Sequence, residues 1–336
     1  MLTLFVKNIK QILSIAMILT LTAVGVVFFA GCGSSGEEAY RNGRINIIAM
    51  NGPTGMGLGH LRNVVQNDAN HSFSMDFVGT PAAAIAALAN RSADVASIPA
   101  NTAAVLFNQG NIDIQVVAIN ATNVLHLVQR NGTPAITMLA DLAGRTVFMP
   151  GQGATPETAF RHLLAKHNVQ NVNLQFESEG STIVAGLSVG TVDFAILPQP
   201  AATVAVMNGS STHVLNLTPY WQQEHSSDIL TGVLVVRRAF LQNNRSTFDA
   251  FMAAYQESID FMNNPTNIAE AAQFIVDMNI VPNVPIATAA LPQSGITLIR
   301  GQSMKDQLTE FYQILHTQNP NVIGGQVPGE NFFLVA

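Results

Sequence analysis

The sequence predicts an α/β protein of two similar lobes, each a mainly parallel sheet flanked by helices, with a hinge of two crossover strands between them. Three observations carry that reading. Short apolar runs alternate with helical patterns of about ten residues, as in strand–helix–strand units. A faint internal repeat holds at a constant offset of 99 residues. Two further apolar runs, near 125–130 and 231–236, stand where the chain would pass between the copies.

The repeat organises the chain. Laying 85–110 over 184–209 gives eight identities in 26 positions without a gap, among them Leu88/Leu187, Asp94/Asp193, Pro99/Pro198 and Gly110/Gly209. The same offset matches Met50/Met149, Gly52/Gly151 and Arg62/Arg161 upstream. In the first copy, strands are predicted at 45–50, 75–78, 95–98 and 115–119, with helices at 57–69, 81–90 and 102–109. The second copy repeats the order, with strands at 146–149, 172–176, 194–197 and 213–217 and helices at 156–166, 182–189 and 201–207. Right-handed crossovers place every strand-to-helix turn at one edge of its sheet. The run Val233-Leu234-Val235-Val236 reads as a returning strand. Beyond it the pattern is helical, with Ser246-x-x-Asp249 and Ser303-x-x-Asp306 as capping-box-like starts. The expected lobes are 44–127 with 234–336, and 128–233.

The first residues read as a leader rather than as fold. Lys7 and Lys10 precede a run from 12 to 29 without charge, which ends in Phe29-Ala30-Gly31-Cys32. Small residues before a lone cysteine, followed by a polar stretch from 33 to 38, predict a secretory signal over 1–31. Cys32 would then be acylated, with 32–43 as a lipid-anchored linker on the outer face of a bacterial membrane. A run of about 18 apolar residues is also the lower limit for a spanning helix, which is the alternative.

Composition excludes several classes. Cys32 is the only cysteine, so the folded part has no disulfide, no cysteine metal site and no thiol nucleophile. No metal-binding His spacing occurs, and His162 and His167 are expected as solvated residues of one helix face. Without Lys7 and Lys10 the chain has 13 basic against 21 acidic residues, a net charge of −8, which disfavours nucleic acid. No cofactor motif is present. The glycines of 52–59 lack the Gly-Lys-Ser/Thr of a phosphate loop, and His60 stands where a dinucleotide fingerprint needs its third glycine.

Two facing lobes of this kind put strand C-termini and helix N-termini around a shared crevice. The candidate ligand-binding residues are those of the crevice turns: Asn51, Thr54, Met56 and Gly57; Thr80; Asn101 and Thr102; Gln152 and Thr155; Ser181; and Gln199. Trp221, the only tryptophan, joins them as a residue that could stack on a ligand or serve packing alone. Thr and Asn at these positions double as helix N-caps, so each taken singly is equally well a cap.

Three segments carry a resemblance to a known family: Asp141–Gly151, Val189–Pro200 and Ala93–Asn101. With the stretch 312–328, they resemble the nitrate/sulfonate/taurine and thiamine-pyrimidine-precursor branch of ABC substrate-binding proteins. The likeness spans 44–333 and implies a type II periplasmic-binding-protein-like fold that closes on its ligand without a catalytic step. It implies a permease and its ATPase as partners, a small-molecule ligand, membrane attachment through lipid only, and a monomer. Where that family commonly has Glu-Pro after the Asp193-type strand, this chain has Gln199-Pro200. Enzymes of vitamin or menaquinone biosynthesis share the fold and are the rival class, with a purely sensory lipoprotein as a third.

The crevice turns also limit the ligand. They contain no Arg, Lys or Asp, and the nearest acids are Glu157, Glu177 and Glu179. Dicarboxylates and amino acids would need a forked guanidinium. A small, mostly neutral or weakly anionic solute remains, such as a pyrimidine-like heteroaromatic, with a sulfonate or nitrate on helix N-termini as the alternative.

Overall fold

The computed structural model describes residues 43–68, 72–209 and 211–335. The expected signal peptide, Cys32 and nearly all of the linker lie outside the described residues. None of the described helices is long and apolar enough to cross a membrane.

The chain begins with β1 (Ile45–Met50), α1 (Pro53–Met56), α2 (Gly59–Asn67), β2 (Phe73–Val78), α3 (Pro81–Ala89), β3 (Val95–Pro99), α4 (Ala100–Gln109) and β4 (Ile114–Thr122). β3 and β4 are buried along almost their whole length, which is why they read as continuous apolar runs. After Asn123 and Val124 the chain enters a second sheet with β5 (Leu125–Arg130), β6 (Thr146–Pro150), α5 (Thr155–Lys166), β7 (Asn173–Glu177), α6 (Gly180–Val189), β8 (Phe194–Pro198), α7 (Ala201–Met207) and β9 (Ser211–Asn216). It returns through α8 (Thr218–Gln222) to β10 (Leu230–Arg237). It then continues as α9 (Arg238–Asn243), α10 (Arg245–Asn263), α11 (Ile268–Asp277), α12 (Val284–Ala290), β11 (Ile296–Ile299) and α13 (Gly301–Gln318).

The first sheet has the order β11-β4-β10-β3-β1-β2 and the second β7-β6-β8-β5-β9. β1 runs parallel to β2 and β3, and β6 parallel to β7 and β8. β10 is antiparallel to β3 and β4, and β5 is antiparallel to β8 and β9. Both sheets are therefore mixed rather than mainly parallel. In each sheet the strand that arrives from the other, β10 or β5, runs against both of its neighbours, and β11 is antiparallel to β4 as well.

Helix α10 buries Phe248, Phe251, Met252, Tyr255, Ile259 and Met262, the one-sided spacing of an amphipathic helix. Its start differs from expectation. Asn244 is the N-cap, Arg245 is already helical, and Asp249 pairs with Arg245 instead of closing a capping box on Ser246. Likewise α13 begins at Gly301, and Asp306 accepts from Gln302.

Asn123 ties the two crossings together. It holds a left-handed φ of 58° and donates its N–H to the Ile229 carbonyl at 2.9 Å. Its side-chain Oδ1 accepts from the Ile229 N–H at 3.1 Å. A single buried apolar cluster contains Ile48, Ile98 and Ile119 of the first sheet as well as Val147, Phe194 and Ile196 of the second. Across it, α5 packs against α13 and α7 against α12.

The repeat is visible as an ion pair in each half. Asp94 accepts from Arg237 Nη2 at 2.7 Å and from the Asn46 N–H at 2.9 Å, with both charged side chains only 9% exposed. Asp193, 99 residues later, accepts from Arg130 Nε at 2.8 Å, nearer solvent. Arg237 ends β10 and Arg130 ends β5, so each pair fastens an antiparallel strand into its sheet.

Candidate ligand-binding site

Because β1, β2 and β3 run together, the turns into α1, α3 and α4 share one edge of the first sheet. The turns into α5, α6 and α7 share one edge of the second in the same way. These edges meet at two helix N-termini. Asn101, on the first turn of α4, accepts from Thr155 Oγ1 on the first turn of α5 at 3.0 Å, and both residues are buried. Asn101 Nδ2 donates to the Val322 carbonyl at 3.3 Å. Thr102 stands beside Asn101 and is half-buried.

Gln199 occupies the corresponding turn of the second sheet. Its peptide bond to Pro200 is cis. Its N–H donates to the Val124 carbonyl in the first crossing at 2.9 Å, which sets it beside the hinge. Its Oε1 accepts from Thr203 Oγ1 at 2.7 Å and from the Thr203 N–H at 3.3 Å. The residue is 1% exposed, and its Nε2 is not among the fully buried polar atoms left without a partner, so this end of the amide keeps some access to the crevice.

Other expected residues are differently placed. Asn51, Thr80, Gln152 and Ser181 are exposed. Thr80 caps α3 through the Ala83 N–H at 3.3 Å, and Ser181 donates to Glu179 at 3.1 Å. Thr54 is buried, and its carbonyl accepts from Ser97 Oγ and from Asn120 Nδ2, which pins α1 onto the sheet. Met56 has no exposed surface. Gly57 lies where a Cβ would meet Ile259 Cδ1 at 2.4 Å, so its place is explained by the close approach of α10. Trp221 is fully buried, donates to the Ser227 carbonyl at 2.9 Å and packs on Phe311. Of the two readings open for it, the structure assigns packing.

Two polar groups were not anticipated. Ser97 and Asn120 form a buried network with the Tyr255 hydroxyl, which stands 3.1 Å from Asn120 Nδ2. They sit inside apolar strands, where a lone polar residue in a run of Val, Ala and Ile was the available signal. His162 is buried, not solvated, and faces His225 rather than His167. No spacing rule links residues 63 positions apart.

Two of the three acids near the turns are already engaged. Glu157 accepts from the Gly153 N–H and from Arg161 Nε, both at 2.7 Å, and Glu179 holds Ser181. Among the described residues no group of three or more His, Cys, Asp or Glu could hold a metal ion.

A family model described as NMT1/THI5 like matches residues 75–268, more than half of the chain. The chain belongs to the NMT1/THI5-like family. A comparison with curated protein sequences finds no match. Solved structures extend the likeness in fold to 84–87% of the chain. An ABC transporter protein from Parabacteroides distasonis is 20% identical, with a TM-score of 0.71 over 87% of this chain and 99% of its own. The periplasmic aliphatic sulphonate binding protein of Escherichia coli is 14% identical, with a TM-score of 0.68 over 84% and 89%. The periplasmic nitrate-binding protein of Synechocystis PCC 6803 is 13% identical, with a TM-score of 0.63 over 84% of each chain. This NMT1/THI5-like chain therefore has the two-lobe fold of periplasmic binding proteins, as its motifs led one to expect.

Proposed function

We propose that the protein is the extracytoplasmic solute-binding component of an ABC importer, anchored through lipid on Cys32 and working as a monomer with a permease and its ATPase. It takes a small, mostly neutral or weakly anionic solute between the lobes, and a heteroaromatic of the pyrimidine or vitamin-precursor kind fits best. The observation that carries this reading is Gln199. Thr203 fixes its carbonyl oxygen, so the amide N–H2 is left free to donate beside the first crossing. A ring nitrogen or carbonyl oxygen of a heteroaromatic can accept from it, and the neutral amide brings no charge that such a ring would have to match. Asn101, Thr102 and Thr155 supply further polar edges, and Asn51, Thr80, Gln152 and Ser181 lie at the exposed mouth. Neither an acid–base pair nor a nucleophile stands among these residues, which weighs against the enzyme reading.

A sulfonate or nitrate is the second reading. It is favoured by the helix N-termini of α4 and α5, which meet at Asn101 and Thr155, and by the names of two of the similar structures. Calorimetry with a pyrimidine, an alkanesulfonate and nitrate, each at low and high salt, separates the two. Heteroaromatic binding that changes little with salt, and that weakens about tenfold or more in Gln199→Glu, is expected. Tight binding of a sulfonate or nitrate alone, or of a dicarboxylate, would overturn the first reading.

A further inference from the structure

A chain of polar contacts that does not include Gln199 crosses between the two halves of the molecule. It begins on α13, where Gln318 Nε2 stands 3.5 Å from His162 Nδ1. His162, on α5, faces His225 with the two Nε2 atoms 2.7 Å apart. His225 follows α8, and its Nδ1 stands 3.5 Å from Glu310 Oε1, back on α13. Trp221 lies against both imidazoles, with ring centroids at 5.4 and 4.7 Å. The cluster thus joins a helix of the second lobe, the returning crossover and the last helix of the first lobe.

One protonation pattern satisfies this chain. Gln318 donates to His162 Nδ1, which leaves the His162 proton on Nε2, pointing at His225. His225 accepts there, so its own proton is on Nδ1, toward Glu310. Both rings are neutral. A single added proton is accommodated if His162 moves its own proton to Nδ1 and the Gln318 amide turns its oxygen toward it, but with both rings protonated two N–H groups stand against each other at 2.7 Å.

We propose that the His162–His225 contact is an acid-released latch between the lobes, broken when both imidazoles are protonated. The surroundings agree. Lys166 on the same helix disfavours a further positive charge, while Glu224, which pairs with Lys166 at 3.7 Å, and Glu310 favour it. Ser226 holds the other oxygen of Glu310 at 3.0 Å, and His167 stands edge-on to Tyr220 at 5.4 Å. Burial outweighs the acids. It pushes His162 down from 6.5 to about 4 and also lowers His225, against the pull of Glu310. A cavity of about 460 Å³, lined by His162, Lys166, His225, Glu310 and Gln318, adjoins the pair and admits solvent to it. Since the latched state prefers neutral rings, the latch is complete above pH 6.5, weakens as pH falls below it, and is lost by about pH 4.

The inference does not depend on which solute is bound, so ligand-free protein tests it. Trp221, the only tryptophan, touches both rings, and an imidazolium in contact with indole quenches its emission. Emission, small-angle scattering and amide exchange are followed on the purified protein from pH 8 to pH 3.5. The expected result is quenching with a midpoint below 6.5 and a rise in radius over the same range. Protection of α5 amides should fall about tenfold or more at pH 5, relative to α11. The double variant His162→Gln/His225→Gln keeps hydrogen-bonding groups that do not titrate, and should stay flat in all three. The proposal is overturned by a midpoint at or above 6.5, or by quenching without change in radius or α5 exchange. It is equally overturned if the double variant follows the wild type, or if both proteins lose their far-ultraviolet dichroism together.

Discussion

Asp94 and Asp193 hold matching places in the repeat, yet their surroundings give the same chemistry different energies. Arg237 and Asp94 are both nine-tenths buried, and Asp94 has a backbone N–H as a second donor. Removing one partner strands a buried charge, so Asp94→Asn or Arg237→Met should cost about 3–5 kcal/mol in urea unfolding. Asp193→Asn, at the more exposed pair, should cost about 1 kcal/mol or less, and the difference should survive in high salt. Equal costs would show that burial is not what separates the two pairs. The two aspartates were legible in the sequence as an identity at a fixed offset. Their arginines were not, because they lie 143 and 63 positions away and no local pattern points at them. Gln199 shows the same limit, since its position was readable while the bond from Thr203 that orients its amide was not.

At the scale of elements, the hinge depends on Asn123. It bonds Ile229 through both its main chain and its side chain, so a movement of one crossing is passed to the other. Asn123→Ala should destabilise by about 1–3 kcal/mol, through the orphaned Ile229 N–H and the left-handed φ, and speed exchange at Ile229. Asn123→Gly removes only the side-chain bond. It should recover part of the stability while leaving Ile229 exchange fast. Full recovery of both by glycine would mean that the side-chain bond does nothing. The crossings themselves were readable as apolar runs at 125–130 and 231–236. Their direction was not, because an apolar strand has the same pattern whichever way it runs. Helices α10 and α13 were evident from their periodicity, but their N-caps are Asn244 and Arg300, and the Ser-x-x-Asp spacing points two and three residues further along.

For the molecule as a whole, the apolar cluster shared by both sheets has a direct thermodynamic consequence. Leu163 on α5, Phe311 on α13 and Trp221 between them belong to one buried set, so neither lobe keeps a complete interior when the other melts. Differential scanning calorimetry should give a single transition, with calorimetric and van't Hoff enthalpies equal. Two resolved transitions would show that the lobes are thermodynamically separate. The same continuity limits how far the lobes swing, because wide opening would expose apolar surface at the α5–α13 contact.

The two antiparallel strands also fix what the halves of this chain can be on their own. β10 fills the gap between β3 and β4, and β5 fills the gap between β8 and β9, each arriving from beyond the other sheet. A fragment ending at Thr122 would hold two unpaired edges facing an empty lane, and a fragment spanning only the second copy without β5 would have the same vacancy. Each copy is completed by a strand that enters from its neighbour's side, which is the topology of a strand-exchanged dimer written into one polypeptide. Severed halves could regain the fold only by finding each other.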